Sequence, residues 1–394
     1  MSRINELIRK LCPNGVEYKK VWQITTWDKK YNSVDKYMQP KIRKYNYLLA
    51  NQLNEIIVDN GDVFILETGI NNTKKYTNED LAGDNLCNGE IIAIPWGGTP
   101  NVKYYNGKFV TGDNRIAVSN DINVLNTKFL YYIFENKMNE IADFYRGSGI
   151  KHPEMKKVLN LDIPVPPIKV QEEIVRILDK FGELEAELEV ELEVRKSQYE
   201  FWRGKLLNEE YETKYLPELS TNLDNKRKPV TKSDRKSGEY PYYGASGIVD
   251  YVSDYIFDDE LLLVSEDGAN LMARSTPIAF SSSGKVWINN HAHVLKFNSM
   301  ITQKYVEHYL NMIDLSEYIT GAAQPKLNQE NLNRIRINIP SSIEEQEKIV
   351  IALERFDRLI NDISVGLPVE ISLRRKQYEY YRDKLLSFEE YANE

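Results

Sequence analysis

The sequence is poor in the residues from which catalytic and metal sites are most often built. Among 394 residues there are only two cysteines, Cys12 and Cys87, and four histidines. Two cysteines without a pairing partner nearby favour a reducing compartment, so we expect a cytoplasmic protein. The N-terminus has no secretory signal, and no apolar run is long enough to span a bilayer. The sequence therefore predicts no membrane partner.

Several motifs of nucleotide-processing and methyl-transfer enzymes are missing as well. No Asn-Pro-Pro-aromatic or Asp-Pro-Pro-aromatic loop is present, which excludes the catalytic loop of amino-methyltransferases. Gly107-Lys108 and Gly284-Lys285 lack the other residues of a phosphate-binding loop. Glu17-Tyr-Lys19 matches the tail of a nuclease motif but lies too early for an upstream aspartate. We therefore expect that the chain is not an enzyme by itself and has no cofactor of its own.

One histidine pair could supply half of a metal site. In His291-Ala-His293 the two imidazoles would lie on one face of a strand, because side chains alternate along a strand. No cysteine and no second histidine pair lies near them. We expect a polar strand face or a DNA contact here, and no metal.

What the sequence does contain is an internal repeat with a spacing of about 175 residues. Arg195-Lys-Ser-Gln-Tyr-Glu-Phe-Trp-Arg-Gly-Lys-Leu-Leu207 returns as Arg374-Arg-Lys-Gln-Tyr-Glu-Tyr-Tyr-Arg-Asp-Lys-Leu-Leu386. Upstream, Gln171-Glu-Glu-Ile-Val returns as Gln346-Glu-Lys-Ile-Val. Motifs repeated in the same order indicate two copies of one structural unit.

Fainter echoes run through the rest of each half. Gly98 and Gly147 correspond to Gly268 and Gly321, in the same order and at similar distances from the repeated motifs. The duplication therefore includes the globular segments as well as the helical ones. Two copies of a globular binding domain, each with its own helical segment, suit a protein that binds two separated sites on one long ligand.

The first part of each half has the pattern of short strands. Apolar runs at 63–66, 91–94 and 115–118 are bounded by glycine, aspartate or asparagine, and a helix is expected from Phe129 to about Asp143. The second half repeats this order with runs at 261–264, 286–288 and 293–295 and a helix at about 303–312. Residues 1–162 and 211–338 are therefore predicted to be α/β (α+β) domains.

The segments 163–210 and 339–394 have the periodicity of long helices. In the first, apolar residues recur at steps of three and four, which predicts one helix from Ile168 to Leu207. In the second, Gly366-Leu-Pro368 should break or kink the helix. Two such helices are expected to pack antiparallel as a coiled-coil spacer with pseudo-twofold symmetry.

The net charge of -8 is unevenly distributed. Residues 1–160 carry 22 basic and 18 acidic side chains, whereas residues 161–210 carry 7 and 13. A further basic group, Lys226-Arg-Lys228, opens the second globular segment. Acidic helices combined with locally basic domains remain compatible with nucleic acid, because phosphates respond to local patches of charge.

Taken together, the repeated motifs resemble those of the specificity subunits of type I restriction–modification systems. The resemblance is carried by Ile163-Pro-Val-Pro-Pro-Ile168, the Gln171 and Arg195 motifs with their second copies, and the run from Tyr242 to Tyr251. It implies two target-recognition domains, each reading one half of a bipartite DNA sequence. It also implies two modification subunits that use S-adenosylmethionine to methylate adenine, and a restriction subunit that translocates and cuts DNA with ATP and Mg²⁺.

Candidate DNA contacts are the polar and basic residues of loops at equivalent places in the repeat, together with the basic group of the second half. They are Trp96, Thr99, Asn101, Lys103, Arg146, Ser148, Lys151, His152, Lys226, Arg227, Lys228, Asn270, Arg274, Lys285, Gln324 and Lys326.

The apolar stripes of the long helices are the predicted contacts with the modification subunits. Their residues are Ile174, Leu178, Phe181, Tyr199, Trp202, Ile349, Leu353, Phe356, Tyr378 and Tyr381. The alternative function is a stand-alone, two-headed DNA-binding protein without catalytic partners.

Overall fold

A computed structural model of the protein describes residues 2–70, 74–321, 323–362 and 364–391. The chain divides into two compact units. The first comprises Met1–Glu187 with Ser372–Glu394, and the second comprises Leu188–Ile371. Each unit holds one globular domain and parts of the long helices. Within the described ranges, no helix combines the length and apolarity needed to cross a membrane.

The first unit is built on a six-stranded sheet with the strand order β2-β7-β5-β6-β3-β4. Two further ladders, β1-β10 and β8-β9, have two strands each. The strands are β1 (Glu17–Lys20), β2 (Thr25–Trp27), β3 (Val63–Leu66), β4 (Tyr76–Thr77), β5 (Cys87–Pro95), β6 (Lys103–Thr111), β7 (Asn114–Ser119), β8 (Tyr145–Arg146), β9 (His152–Pro153) and β10 (Asp162–Val165). The helices are α1 (Ser2–Leu11), α2 (Val21–Ile24), α3 (Ala50–Glu55), α4 (Glu79–Ala82), α5 (Thr127–Asn136), α6 (Met138–Ala142), α7 (Met155–Leu159) and α8 (Ile168–Leu207).

Alternate residues of β5 face opposite sides of this sheet. Ile92 and Ile94 belong to the main core, which also contains Phe129 of α5. Ile91 and Ala93 belong to a smaller cluster on the other side. Because both faces of β5 are buried, the strand has an unbroken apolar sequence rather than an alternating one.

The second unit has two four-stranded sheets, with the strand orders β12-β19-β16-β17 and β14-β13-β18-β15, and a ladder β11-β20. The strands are β11 (Glu212–Tyr215), β12 (Ser220–Asn222), β13 (Ser237–Gly244), β14 (Gly247–Val252), β15 (Phe257–Asp258), β16 (Leu261–Ser265), β17 (Ala279–Ser282), β18 (Lys285–Ile288), β19 (Ala292–Phe297) and β20 (Arg336–Ile339). The helices are α9 (Leu216–Leu219), α10 (Asn270–Ala273), α11 (Met300–Met312), α12 (Gln329–Asn333), α13 (Ile343–Asn361) and α14 (Leu367–Leu386), the last of which continues into the first unit.

The predicted strands are all present, but two details of the sequence interpretation are wrong. The helix expected from Phe129 to Asp143 is two helices, α5 and α6, which meet at Lys137. His291 lies before β19 and is exposed, whereas His293 lies inside β19 and is buried. The two imidazoles therefore do not share a strand face, because the strand begins between them.

The long helices follow their predicted bounds. The first is continuous from Ile168 to Leu207. The second is interrupted between Asn361 and Leu367, as Gly366 and Pro368 predicted. Within the first unit, α8 and α14 run antiparallel, since Phe181 stacks on Tyr381 with centroids 5.5 Å apart while Glu185 accepts a hydrogen bond from Arg375 at 2.7 Å.

A buried glutamine connects each domain to the helix that follows it. The Gln171 amide donates to the carbonyls of Val124 (2.8 Å) and Pro166 (2.7 Å) and accepts from the Asn126 backbone at 2.9 Å. In the second unit, Gln346 donates to the Pro340 carbonyl at 2.7 Å and accepts from the Thr302 hydroxyl at 2.8 Å. The glutamine of each repeated motif therefore attaches a domain to its helix through hydrogen bonds, which explains why glutamine recurs at this position.

Replacing Gln171 with alanine tests these hydrogen bonds. The substitution leaves three buried or half-buried backbone groups without a partner, so we expect it to lower the free energy of unfolding by about 1–3 kcal/mol. The neighbouring Glu172 is exposed, so Glu172→Ala in the same helical turn is the matched control and should change stability little. Urea unfolding of the full chain measures both, and equal effects would contradict the role of Gln171.

Candidate nucleic-acid interface

In the first domain, the two polar loops predicted from the repeat lie against each other. Residues 96–101 follow β5, and residues 146–152 run from β8 to β9. The Gly98 N–H donates to the Lys151 carbonyl at 3.1 Å, and His152 Nδ1 donates to the Trp96 carbonyl at 2.7 Å. The rings of Trp96 and His152 have centroids 5.2 Å apart. The two loops therefore form a single surface element.

The second domain has the same construction. Residues 266–270 follow β16, which occupies the place of β5, and residues 321 and 323–327 belong to the partner loop. The Gly268 N–H donates to the Pro325 carbonyl at 3.1 Å, and the Leu327 N–H donates to the Glu266 carbonyl at 2.8 Å. Lys326 Nζ lies 3.1 Å from a carboxylate oxygen of Glu266. We call each of these arrangements a loop pair: residues 96–101 with 146–152, and residues 266–270 with 321 and 323–327.

Glycine is required at two positions of each loop pair. Gly98 and Gly268 have φ values of +102° and +110°, and Gly147 and Gly321 have values of +143° and +83°. L side chains rarely adopt such values. A Cβ atom on Gly147 or Gly321 would also lie 2.7 or 2.5 Å from the carbonyl oxygen of the residue three positions later. The faint glycine echo in the sequence thus marks the shape of the loop pairs.

A buried arginine supports the first loop pair. Arg115 of β7 is 1% exposed and forms ion pairs with Asp28, at 2.8 Å, and with Asp113. Its guanidinium lies 5.0 Å from the centroid of the Trp96 ring, and Lys29 Nζ lies 4.9 Å from the same ring. The ring of the first loop residue, Trp96, is therefore in contact with two cations.

A buried ionic cluster supports the second loop pair. His293 of β19 is 1% exposed, and its Nδ1 lies 2.6 Å from Asp224. Arg227 contacts both Asp224, at 3.3 Å, and Glu266, at 2.5 Å. The ligand atoms of Asp224, Glu266 and His293 lie within 4.8 Å of one another, a spacing suited to a metal ion. Arg227 and Lys326 also form ion pairs with these carboxylates, so the arrangement is an ion-pair network.

Most of the candidate DNA contacts are exposed. The exposed ones are Thr99, Arg146, Ser148, Lys151, His152, Lys226, Lys228, Lys285, Gln324 and Lys326, while Trp96, Asn101, Lys103, Arg227, Asn270 and Arg274 are partly buried. Thr99, Arg146, Ser148, Lys151 and His152 belong to the first loop pair, and Gln324 and Lys326 to the second. Lys285 lies on β18, in the other sheet of the second domain.

Four of the partly buried candidates have structural contacts that occupy their polar groups. Lys103 Nζ donates to the Thr68 carbonyl at 3.0 Å, and burial lowers the pKa of Lys103 to about 8. Arg274 donates to two carbonyls at the end of α11, and burial lowers the pKa of its guanidinium. Asn270 shapes the turn at 275–276, and Arg227 belongs to the ionic cluster. These side chains position the loops instead of presenting charge to a ligand.

Sequence reasoning missed the supporting residues Asp28, Lys29, Arg115 and Asp224. Arg115 gave one usable signal, because it is a charged residue directly beside the buried apolar run Ile116-Ala-Val118. A cation at such a position needs a carboxylate partner. The partner, Asp28, is 87 residues away in the sequence, so no local pattern could identify it.

Comparison with known proteins now decides the family. The family model of the type I restriction modification DNA specificity domain matches residues 28–194 and again residues 208–373. Two matches cover most of the chain and coincide with the two repeats. The chain belongs to the type I specificity family.

Individual relatives agree with this membership. The specificity subunit of the type I restriction enzyme EcoR124I/EcoR124II of Escherichia coli is 32% identical over 302 residues, which cover 70% of this chain and 74% of that protein. A predicted specificity subunit of Haemophilus influenzae is 38% identical over 186 residues, covering 46% of this chain and 47% of the relative, or about half its length. The crystal structure of the S subunit from M. genitalium shares the fold, with a TM-score of 0.63, 16% identity and coverage of 94% and 96%.

The structure corrects one interpretation of the specificity subunit's helices. The apolar stripe was expected to be a partner surface, but most of it is buried within the chain. Ile174, Leu178, Tyr378 and Tyr381 pack in or against the core of the first unit, while Tyr199, Ile349, Leu353 and Phe356 do so in the second. Phe181 is half-buried and stacks on Tyr381. Only Trp202 is exposed, at 39%. The stripe is covered because each domain supplies its own apolar surface to the helix.

A different set of apolar residues is exposed, and it is also repeated. Val194 and Phe201 lie one residue before and six residues after Arg195, and Leu373 and Tyr380 occupy the same places around Arg374. Their exposed fractions are 47%, 64%, 59% and 60%. We call these four residues the outer apolar positions; Val194 and Phe201 belong to the second unit, and the other two to the first.

Gly147→Ala tests the backbone of the first loop pair. The positive φ and the close carbonyl should make this substitution cost about 1–3 kcal/mol of local strain. Gly149, two residues later, has no atom within 4 Å of an added Cβ, so Gly149→Ala is the matched control. Thermal unfolding without DNA should separate the two variants, and an unchanged melting temperature in Gly147→Ala would disprove the requirement.

Proposed function

We propose that this specificity subunit reads a bipartite DNA sequence, with one half-site bound by the loop pair of each domain. The observation that supports this most directly is the presence of the same loop pair twice, built on equivalent strands with equivalent glycines. Two equal readers in one chain fit a target with two separated parts. The chain itself would carry out no chemistry.

The exposed groups of the loop pairs have the chemistry that DNA contacts require. Arg146, Lys151 and Lys326 supply positive charge for phosphates, while Ser148 and Gln324 supply donors and acceptors for base edges. All five side chains are exposed. The side chains below them are fixed by buried ion pairs, so the loops should need little reordering on binding.

We further propose that the protein recruits two modification subunits, which methylate adenine with S-adenosylmethionine, and a restriction subunit that uses ATP and Mg²⁺. The cofactors would then belong to the partners. The outer apolar positions are suited to this recruitment, since they offer one exposed apolar pair in each repeat. Similar apolar pairs at equivalent positions of two repeats favour two copies of one partner over two different partners.

A domain exchange tests the independence of the two readers. Glu17 pairs with Val165, and Glu212 pairs with Ile339. The first and last strands of each domain therefore pair with each other in one antiparallel ladder. Replacing Glu17–Val165 with the matching segment of a relative should change one half of the methylated sequence and preserve the other, because each domain has its own core. The readout is methylome sequencing of cells that also express the modification subunit.

The reciprocal exchange of Glu212–Ile339 is the control and should change only the other half of the sequence. Changes in both halves after either exchange would show that the domains read DNA jointly. If no methylated sequence depends on the gene, the protein is instead a stand-alone DNA-binding protein.

The outer apolar positions can be tested one repeat at a time. Val194→Ala combined with Phe201→Ala should remove one modification subunit, and Leu373→Ala with Tyr380→Ala the other, because each pair loses apolar area that the partner would bury. Native mass spectrometry of the co-expressed complex counts the subunits. Ile248→Ala is the control, since Ile248 is equally exposed, at 48%, but lies on β14. Full complexes from both double variants would rule this surface out.

A further inference from the structure

The two loop pairs are supported by different cations at the same position of the fold. Arg115 pairs with Ile94 across β7 and β5, and His293 pairs with Val264 across β19 and β16. Each of these strand pairs leads directly into the first loop of its loop pair. The first domain therefore has a guanidinium at this position, and the second has an imidazole.

A carboxylate holds each cation in the same way. Asp28 accepts from Arg115 at 2.8 Å and from the backbone N–H of the following residue, Ile116, at 3.3 Å. Asp224 accepts from His293 at 2.6 Å and from the backbone N–H of Val294 at 2.8 Å. We call this carboxylate, with its bonds to the cation and to the next backbone N–H, the clamp. Both halves of the chain have the clamp, but the cation in it differs.

The hydrogen bonds of His293 require both ring nitrogens to carry a proton. Nε2 lies 2.7 Å from the Leu327 carbonyl, which can only accept, and Nδ1 faces the Asp224 carboxylate. An imidazole that donates from both nitrogens is the charged form. Loss of one proton would set a nitrogen lone pair against an oxygen lone pair, or give up the bond to the loop.

Two carboxylates lie beside His293. Asp224 faces it directly, and a carboxylate oxygen of Glu266 lies 3.8 Å away. Burial would raise the pKa of Asp224, but the hydrogen bond and charge of His293 hold that pKa below its ordinary value. The pKa of Glu266 is likewise raised by burial and lowered further by Arg227, His293 and Lys326, with a net decrease. Arg227 and Lys326 are the other charged groups of this cluster.

The bond from His293 to Leu327 connects the two loops of the second loop pair. Leu327 donates from its own N–H to the Glu266 carbonyl, at 2.8 Å. The His293 ring thus bonds β19 to Leu327, the last residue of the second loop. Leu327 in turn bonds to Glu266, the first residue of the first loop. The side chain of His293 is therefore one of the contacts that position both loops.

We propose that His293 is a positioning residue for DNA reading, and that its charged form holds the second loop pair in the shape that reads its half-site. Recognition by the second domain is then strongest at low pH and weakens as pH rises through the range in which histidines lose their charge. Recognition by the first domain does not change with pH in this way, because Arg115 keeps its charge throughout. This inference rests on the proposed function.

The remaining histidines cannot produce the same effect. His152 donates only from Nδ1, to a carbonyl, which the neutral ring can do. His291 is exposed and contacts Asp267 at 2.8 Å, outside the clamp. His308 lies on α11 within the second unit, outside the clamp, and burial lowers its pKa.

The test compares the two half-sites in one complex. With the methylated sequence known, the wild-type chain, co-purified with its modification subunit, is titrated with the intact duplex and with duplexes altered in one half-site. Discrimination is the ratio of the dissociation constants for altered and intact DNA. Between about pH 6 and 9, discrimination at the second half-site should fall about tenfold or more, as expected for the loss of one charged hydrogen bond. Discrimination at the first half-site should stay constant.

Variants locate the effect. His293→Gln should give the weak discrimination of the second half-site at every pH, and Asp224→Asn should act in the same direction. His291→Gln is the matched control, an exposed histidine two residues away, and should behave like wild type. Melting curves report whether each variant is folded. Should His293→Gln fail to fold, the wild-type comparison of the two half-sites still decides.

The outcomes separate this inference from the function on which it rests. Equal pH dependence at both half-sites, or none at either, would overturn the role of His293 while leaving bipartite recognition intact. The absence of sequence-specific binding at every pH would overturn the proposed function, and this inference with it. A pH-dependent loss confined to the second half-site that disappears in His293→Gln supports the proposal.

Discussion

The position of each domain on its long helix depends on the hydrogen bonds of a buried glutamine at the start of that helix. Gln171 and Gln346 each occupy the first turn of a helix. Gln171 bonds to three backbone groups, and Gln346 bonds to the Pro340 carbonyl and the Thr302 hydroxyl. A buried amide that satisfies several polar groups resists a lateral shift, because any shift would leave polar atoms unpaired. Each loop pair is therefore built on a domain whose orientation on its own helix is fixed.

Recognition and support are divided between exposed and buried charges. The exposed lysines and arginines of the loop pairs are available to a phosphate backbone, while the buried charges are paired within each domain. The overall charge of -8 is consistent with this division, since the acidic residues are concentrated in the helical segments. What a duplex would meet is the local charge of the loops, which the total does not report.

The duplication preserved geometry more strictly than residue identity. The glycines of the loop pairs are repeated because only glycine accepts their backbone angles at low cost. The clamp of Asp28 and Asp224 is repeated because a buried cation needs a carboxylate. Inside the clamp, arginine and histidine are exchanged, since either can supply the charge. The two halves of one chain therefore hold different cations at this position while sharing a fold.

Local patterns in the sequence predicted the long helices, the strands of both domains and the loops of the candidate site. They did so because helix periodicity, β-branched runs and glycine turns act over a few residues. The same patterns were misleading for the apolar stripe, which covers the chain's own domains, and for Lys103, Arg227 and Arg274, which bond within the protein. A sequence shows that a side chain is apolar or charged but not which surface will meet it.

The sequence by itself determined the family, the twofold repeat and the bounds of the helices, because these are written in the order and spacing of residues along the chain. Only the tertiary structure decided which cation belongs to which carboxylate, that each domain's two loops form one surface, and that the His293 ring lies between Asp224 and the Leu327 carbonyl. These properties depend on residues brought within a few ångströms from positions far apart in the sequence, such as Asp28 and Arg115, 87 residues apart. Spacing along the chain carries no record of such distances.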